Sequence, residues 1–194
     1  MAAVLKRFDA HANGEAGIGV IEIMVYTALM VIVMVVVSSV FNTLFKVHSS
    51  VAGGVSATQS NQLIANSVET GVRNASAVQL QTVNSTDQMV IARSVGSGDT
   101  AAWQCYAWYF DAGNHQVRFT ASPTAVAPPT STQLATWQLL GSKVYPQAGS
   151  GIFSLSGSRL SLRIKTLVGA SVSSVPMQTT VSVAAASWVS APCF

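Results

Sequence analysis

The stretch Gly17-Ile18-Gly19-Val20-Ile21-Glu22-Ile23-Met24-Val25-Tyr26 sets one carboxylate, Glu22, inside a run that is otherwise apolar from Ile18 almost to Phe45. An ionised carboxylate in such surroundings costs several kcal/mol, about 2.5 to 3.5 even on the forgiving insertion scale. Glu22 therefore requires a partner. From Ile23 through Phe45 no residue carries a charge. As a helix rising about 1.5 Å per residue, this segment covers about 34 Å, enough to cross a bilayer.

Composition separates this segment from the rest of the chain. Only 9% of the 194 residues are Asp, Glu, Lys or Arg, while 49% are hydrophobic and the mean hydropathy is +0.43. An ordinary globular chain has about a quarter of its residues charged, so the deficit calls for a membrane-facing segment. From Lys46 onward the chain is rich in Ser, Thr, Ala, Val and Gln, the composition of a β-rich domain facing water. The net charge is +3, and beyond Phe45 the bases are spread singly, too sparse for the basic stripe of a nucleic-acid binder. Cys105 and Cys193 form an even pair, compatible with one disulfide in an oxidising space or with two buried thiols. Paired, they would close a long loop and pin the C-terminal tail to the centre of the sheet.

The apolar run is longer than the hydrophobic region of a cleavable secretory signal and continues past any small-x-small site. A polar leader with Lys6 and Arg7 precedes it, and Lys46 and His48 come after it. The leader bases favour a cytoplasmic N-terminus. On these features alone the chain reads as a signal-anchored single-pass surface protein with a ligand- or DNA-binding β domain, in which Glu22 snorkels to the interface.

Gly17, then Ile18-Gly19-Val20-Ile21-Glu22, then a long apolar helix also resembles the processing site of type IV prepilins and type II secretion pseudopilins. In that family a peptidase cuts after a Gly, and the fifth residue of the mature chain is Glu. The commonest family pattern is Gly, then Phe-Thr-Leu-Ile-Glu. Gly17 and Glu22 match it and Val20 and Ile21 are close. Ile18 and Gly19 depart from it, as does a leader with Glu15 near the cut. The resemblance implies cleavage between Gly17 and Ile18, N-methylation of Ile18, and an assembly contact made by Glu22. The implied partners are other pilin subunits, the prepilin peptidase and a membrane assembly platform. The implied location is the bacterial cytoplasmic membrane with the C-terminal domain outside, and then a surface pilus or pseudopilus. Cleavage would create an α-amino group at Ile18, and residues four apart share a helix face. The Ile18 amine and the Glu22 carboxylate would then meet within a chain or between neighbouring chains, and a buried charge persists only when paired.

The expected organisation is a leader over 1–17, an apolar assembly helix over 18–45, a helical continuation over 46–75 and a β-rich domain over 76–194. The continuation has a weak point at Gly53-Gly54. Val55, Leu63, Ile64, Val68 and Val72 fall on one face, with Asn61 and Glu69 mostly elsewhere. Beyond Ala77 the period becomes two. Strands are expected over 77–83, 88–93, 102–110, 115–121, 150–156, 159–167 and 177–186, with a Pro-broken loop over 123–132. Leu160, Leu162 and Ile164 alternate with Arg159, Ser161, Arg163 and Lys165. The fold class is α+β, a long N-terminal helix on an antiparallel sheet.

Nothing in the sequence suggests catalysis, a metal or a cofactor. The acids beyond the apolar run, Glu69, Asp87, Asp99 and Asp111, do not sit at metal-motif spacing with His48 or His115, and nucleophile elbows and phosphate loops are missing. His115 is expected as a solvated turn residue. Arg159, Arg163 and Lys165 read as a solvated strand face in preference to a DNA contact. Trp103, Trp108, Trp137 and Trp188 are expected to fill the core between sheet and helix.

Overall fold

The computed structural model describes residues 16–95, 102–149, 151–168, 174–183 and 193–194, with side chains in the first helix from Gly19 onward. Residues 1–15, Asp99, residues 184–186 of the expected strand over 177–186, and Trp188 lie outside the described residues. The fold is α+β. In chain order the elements are α1 (Ala16–Arg73), β1 (Ala75–Val83), β2 (Asp87–Val95), β3 (Trp103–Asp111), β4 (Gln116–Ser122), α2 (Ser131–Thr136), β5 (Gln138–Ser142), β6 (Val144–Pro146), β7 (Phe153–Ser156), β8 (Arg159–Leu167) and β9 (Ser174–Ser182). The chain divides into two compact units, Met1–Ser49 and Ser50–Phe194.

In the first unit every described residue belongs to α1. It has no proline to break the ladder, and its polar side chains answer themselves. Thr27 donates to the Met24 carbonyl, Ser39 to Val36, Asn42 to Ser38 and Thr43 to Ser39, at 2.8 to 3.0 Å. Such back-bonding lets hydroxyls and amides sit in an apolar helix at low cost.

The second unit contains the rest of α1 and two antiparallel sheets. One has the order β1-β2-β3-β4-β5; in the other, β8 takes β6 and β7 in succession along one edge and β9 along the other. The antiparallel sheet expected beside the helix is thus divided in two. Lys143, held at φ 57°, turns the chain between β5 and β6, and β6 then joins β8 instead of extending the first sheet. Tight connections use similar conformations: Asn84 and Ser85 are left-handed between β1 and β2, and Gly157 takes φ 56° in the two-residue turn before Arg159. Asn and Gly tolerate that region best.

The helical segment of this unit buries Ala57, Asn61, Ile64, Ala65, Val68 and Val72, a repeat of three and four residues. Fully burying Ile64, Val68 and Val72 contributes about 1.5 to 3 kcal/mol each as an upper bound, which holds this segment to the sheets. Val55 and Leu63 are half exposed, contrary to the sequence expectation, and Asn61 takes the place expected of an apolar residue. The reason is polar pairing. Asn61 donates to the Val175 carbonyl at 3.0 Å and accepts from the Thr166 hydroxyl at 2.6 Å. Eight residues on, Glu69 accepts from the Thr179 hydroxyl and pairs with Arg73 at 3.8 Å. Eight helical residues rise about 12 Å and four strand residues about 13 Å, so the two contacts key α1 alongside β9 in one register. The weak point at Gly53-Gly54 does not interrupt the helix, which ends at Arg73.

The strands β2 and β3 read as nearly continuous apolar runs because both their faces are covered. Val90, Ala92, Trp108 and Phe110 join the helix-side core with Leu160, Leu162 and Ile164 of β8. The alternate residues Met89, Ile91, Cys105, Ala107 and Tyr109 form a second cluster with Leu134 and Cys193, against which Val126 and Trp137 pack. Trp108 donates to the Ser67 hydroxyl at 2.8 Å, and a Cβ on Gly71 would lie 2.4 Å from its ring. Only glycine admits that approach. Trp137 lies on the opposite side of the sheet from the helix, edge-on to Tyr109, and Trp103 stacks under Arg93; neither fills the helix-side core as expected.

Candidate functional site

The residues singled out by the sequence fall at two places. Gly17 and Ile18 lie in α1, five and four residues before Glu22; the side chain of Ile18 is outside the described set. In the uncleaved chain Ile18 carries a peptide nitrogen, not an amine. Glu22 is exposed, as are the large apolar side chains beyond it. The large apolar side chains between Val20 and Phe45 leave between 42% and 72% of their surface open, so this helix requires lipid or other helices around it. Among the described residues α1 is the one helix long and apolar enough to cross a membrane.

Glu22 has a partner that the sequence reading missed. The Tyr26 phenol donates to Glu22 Oε1 at 2.9 Å. The signal was present: a hydroxylated ring four residues after a lone acid, in a run where the residues between them are Ile23, Met24 and Val25. Among the described residues no cation pairs with Glu22, the one such ion pair being Arg73–Glu69.

At the second place, Cys105 of β3 is bonded to Cys193, with a Cα–Cα separation of 5.5 Å and a sequence separation of 88. Of the two states the sequence allowed, the pair is therefore a disulfide. The Val126 amide donates to the Cys193 carbonyl at 3.3 Å, which adds the Pro-rich segment to the same cover. At the other end of the β2–β3 pair Asp87 accepts from the Tyr109 phenol at 2.8 Å and from the Ala112 amide at 2.9 Å. Burial first, then the bond to Asp87 and the charges of Asp87 and Asp111, push the Tyr109 pKa well above the ordinary phenol range.

The remaining candidates do not converge. His115 sits in the turn at φ 52° but is half-buried, its ring stacked 4.0 Å from that of Tyr145, rather than fully solvated. Arg159 and Arg163 are exposed and Lys165 half-buried on the outer face of β8. Among the described residues no group of three His, Cys, Asp or Glu side chains is placed to hold a metal ion. Comparison with protein-family models, curated proteins and solved structures finds no match to this chain.

Proposed function

We propose that this chain is a prepilin-like structural subunit, a minor pilin or pseudopilin, and not an enzyme. It waits in the bacterial cytoplasmic membrane, loses residues 1–17 to a prepilin peptidase, and packs its apolar helix among those of other subunits in a type IV pilus or secretion-type filament. The observation that carries this reading is the position of Glu22: one acid, five residues after Gly17, at the head of a helix whose apolar side chains are exposed in the single chain. An ordinary anchor has no use for that carboxylate. A subunit whose new N-terminus at Ile18 bears a positive charge does, because pairing the two removes the cost of both charges in an apolar setting and sets the axial register of neighbouring helices. Further support comes from the disulfide, which suits a domain working in an oxidising space. Size and the aromatic-rich β3 favour a minor over a major subunit.

Mass spectrometry of the protein from its native membrane tests the reading. The expected N-terminus is Ile18, methylated; an intact leader in the presence of an active peptidase refutes it and supports the plain surface anchor. Glu22→Ala is expected to be processed normally and to enter filaments poorly.

A further inference from the structure

Glu22 and Tyr26 are two polar side chains stranded among aliphatic residues, and each supplies what the other lacks. A phenol buried without a partner costs about 1 to 3 kcal/mol by protein mutational data, and a phenylalanine would fill the same volume without that cost. Side chains on a helix lean toward its N-terminus. The Tyr26 hydroxyl therefore reaches back one turn onto Glu22, where it donates to Oε1 at 2.9 Å. An ionised carboxylate offers about four acceptor positions. The phenol occupies one and leaves Oε2 open.

We propose that Tyr26 is a positioning residue: its phenol fixes the Glu22 carboxylate in one orientation and presents the free oxygen to the cation that completes the assembly contact. This rests on the assembly role proposed for Glu22. A free Glu side chain loses rotamer entropy when it docks, and the bond to Tyr26 makes part of that loss in advance. In the single chain the same bond gives the carboxylate a donor, while no cation among the described residues pairs with it.

The test uses the full-length chain in a membrane that also holds the peptidase and assembly machinery. Wild type, Tyr26→Phe, Glu22→Ala and the double variant are compared by N-terminal mass spectrometry and by the fraction of subunits in sheared filaments. Tyr26→Phe keeps the ring and is expected to be cleaved normally while incorporation falls at least about fivefold. In the Glu22→Ala background the same change is expected to add nothing. Infrared difference spectra of the solubilised subunit are expected to show the tyrosine C–O stretch moving between wild type and Glu22→Ala, and no such movement between the two chains that lack Tyr26. Normal incorporation of Tyr26→Phe overturns the proposal, as does an equal loss in the Glu22→Ala background, which would make Tyr26 only an interfacial anchor. Normal incorporation of Glu22→Ala would sink the assembly reading itself, a different result from failure of Tyr26→Phe alone.

Discussion

Two parts of one helix behave oppositely. Over 20–49 α1 exposes its Val, Ile, Met and Leu side chains all round, and its hydroxyls and amides bond back to their own turn. Over 50–73 it buries one narrow stripe, and three of its polar side chains reach the strands: Asn61 to β8 and β9, Ser67 to Trp108, Glu69 to Thr179. What separates them is where the polar groups place their hydrogen bonds. A segment whose polar atoms are self-sufficient is free to change surroundings, which is what the assembly proposed above asks of it. A segment whose polar atoms are tied to distant strands has one stable setting.

The largest expected effect attacks the domain to which the second part is tied. Cys193→Ser opens a loop of 88 residues, which the chain-entropy model values at about 4 to 5 kcal/mol. Thermal unfolding of the β domain should fall accordingly, while extraction of the protein with membranes should not change. A loss of membrane association would break the contrast. Next, Ile64→Ala removes a fully buried side chain and should cost the domain about 2 to 5 kcal/mol. Ile32→Ala, at a position 59% exposed, should leave the domain's denaturation midpoint unchanged. Equal effects would mean that the first part of α1 is not independent of the domain's folding.

The difference between the two parts was half legible in the sequence. Absence of charge marked the first, and alternation marked β8, where Leu160, Leu162 and Ile164 are buried as read. The buried stripe of the second part was misread at Asn61, Val55 and Leu63, because helical periodicity weighs a side chain by its apolarity and cannot see a carbonyl 114 residues away that accepts its amide. α2 was missed although Thr130 and Gln133 spell a capping box; the preceding prolines masked it. β5 and β6 are short and carry few β-branched residues, so local preference did not mark them. Gln88 gave no signal of its role. Its side chain accepts from the Ile152 and Phe153 amides and donates to the Phe153 carbonyl, tying one sheet to the other. At the candidate site the motif pattern singles out Gly17, Ile18 and Glu22, whereas Tyr26 gives no such signal because an aromatic ring in an apolar run counts as apolar.

Asn61→Ala sharpens the contrast at one residue. It leaves the Thr166 hydroxyl and the Val175 carbonyl without the amide that bonds them, and buried groups so orphaned cost about 1 to 3 kcal/mol. The β domain should unfold at lower denaturant by that amount. Asn42→Ala, whose amide bonds only within its own turn, should cost the domain nothing. Parity between the two would mean that the long-range bonds of Asn61 add no more than a local one.

The smallest effect lies at Tyr109, on the sheet face that the helix does not cover. Burial and Asp87 raise its folded pKa above the unfolded value of about 10. Below that value both states keep the phenol protonated, so this group's contribution to stability does not change with pH. Above it the unfolded chain releases a proton that the folded chain retains, and stability falls as pH rises, by up to about 1.4 kcal/mol per pH unit. Tyr109→Phe should remove this slope between pH 10 and 11 while lowering stability at neutral pH, since Asp87 Oδ2 loses its donor. An unchanged alkaline slope in Tyr109→Phe would assign the loss to other groups. The slope should be the same whether or not the first part of α1 sits in a membrane, because Tyr109 draws its partners, Asp87, Asp111 and Trp137, from the β domain alone.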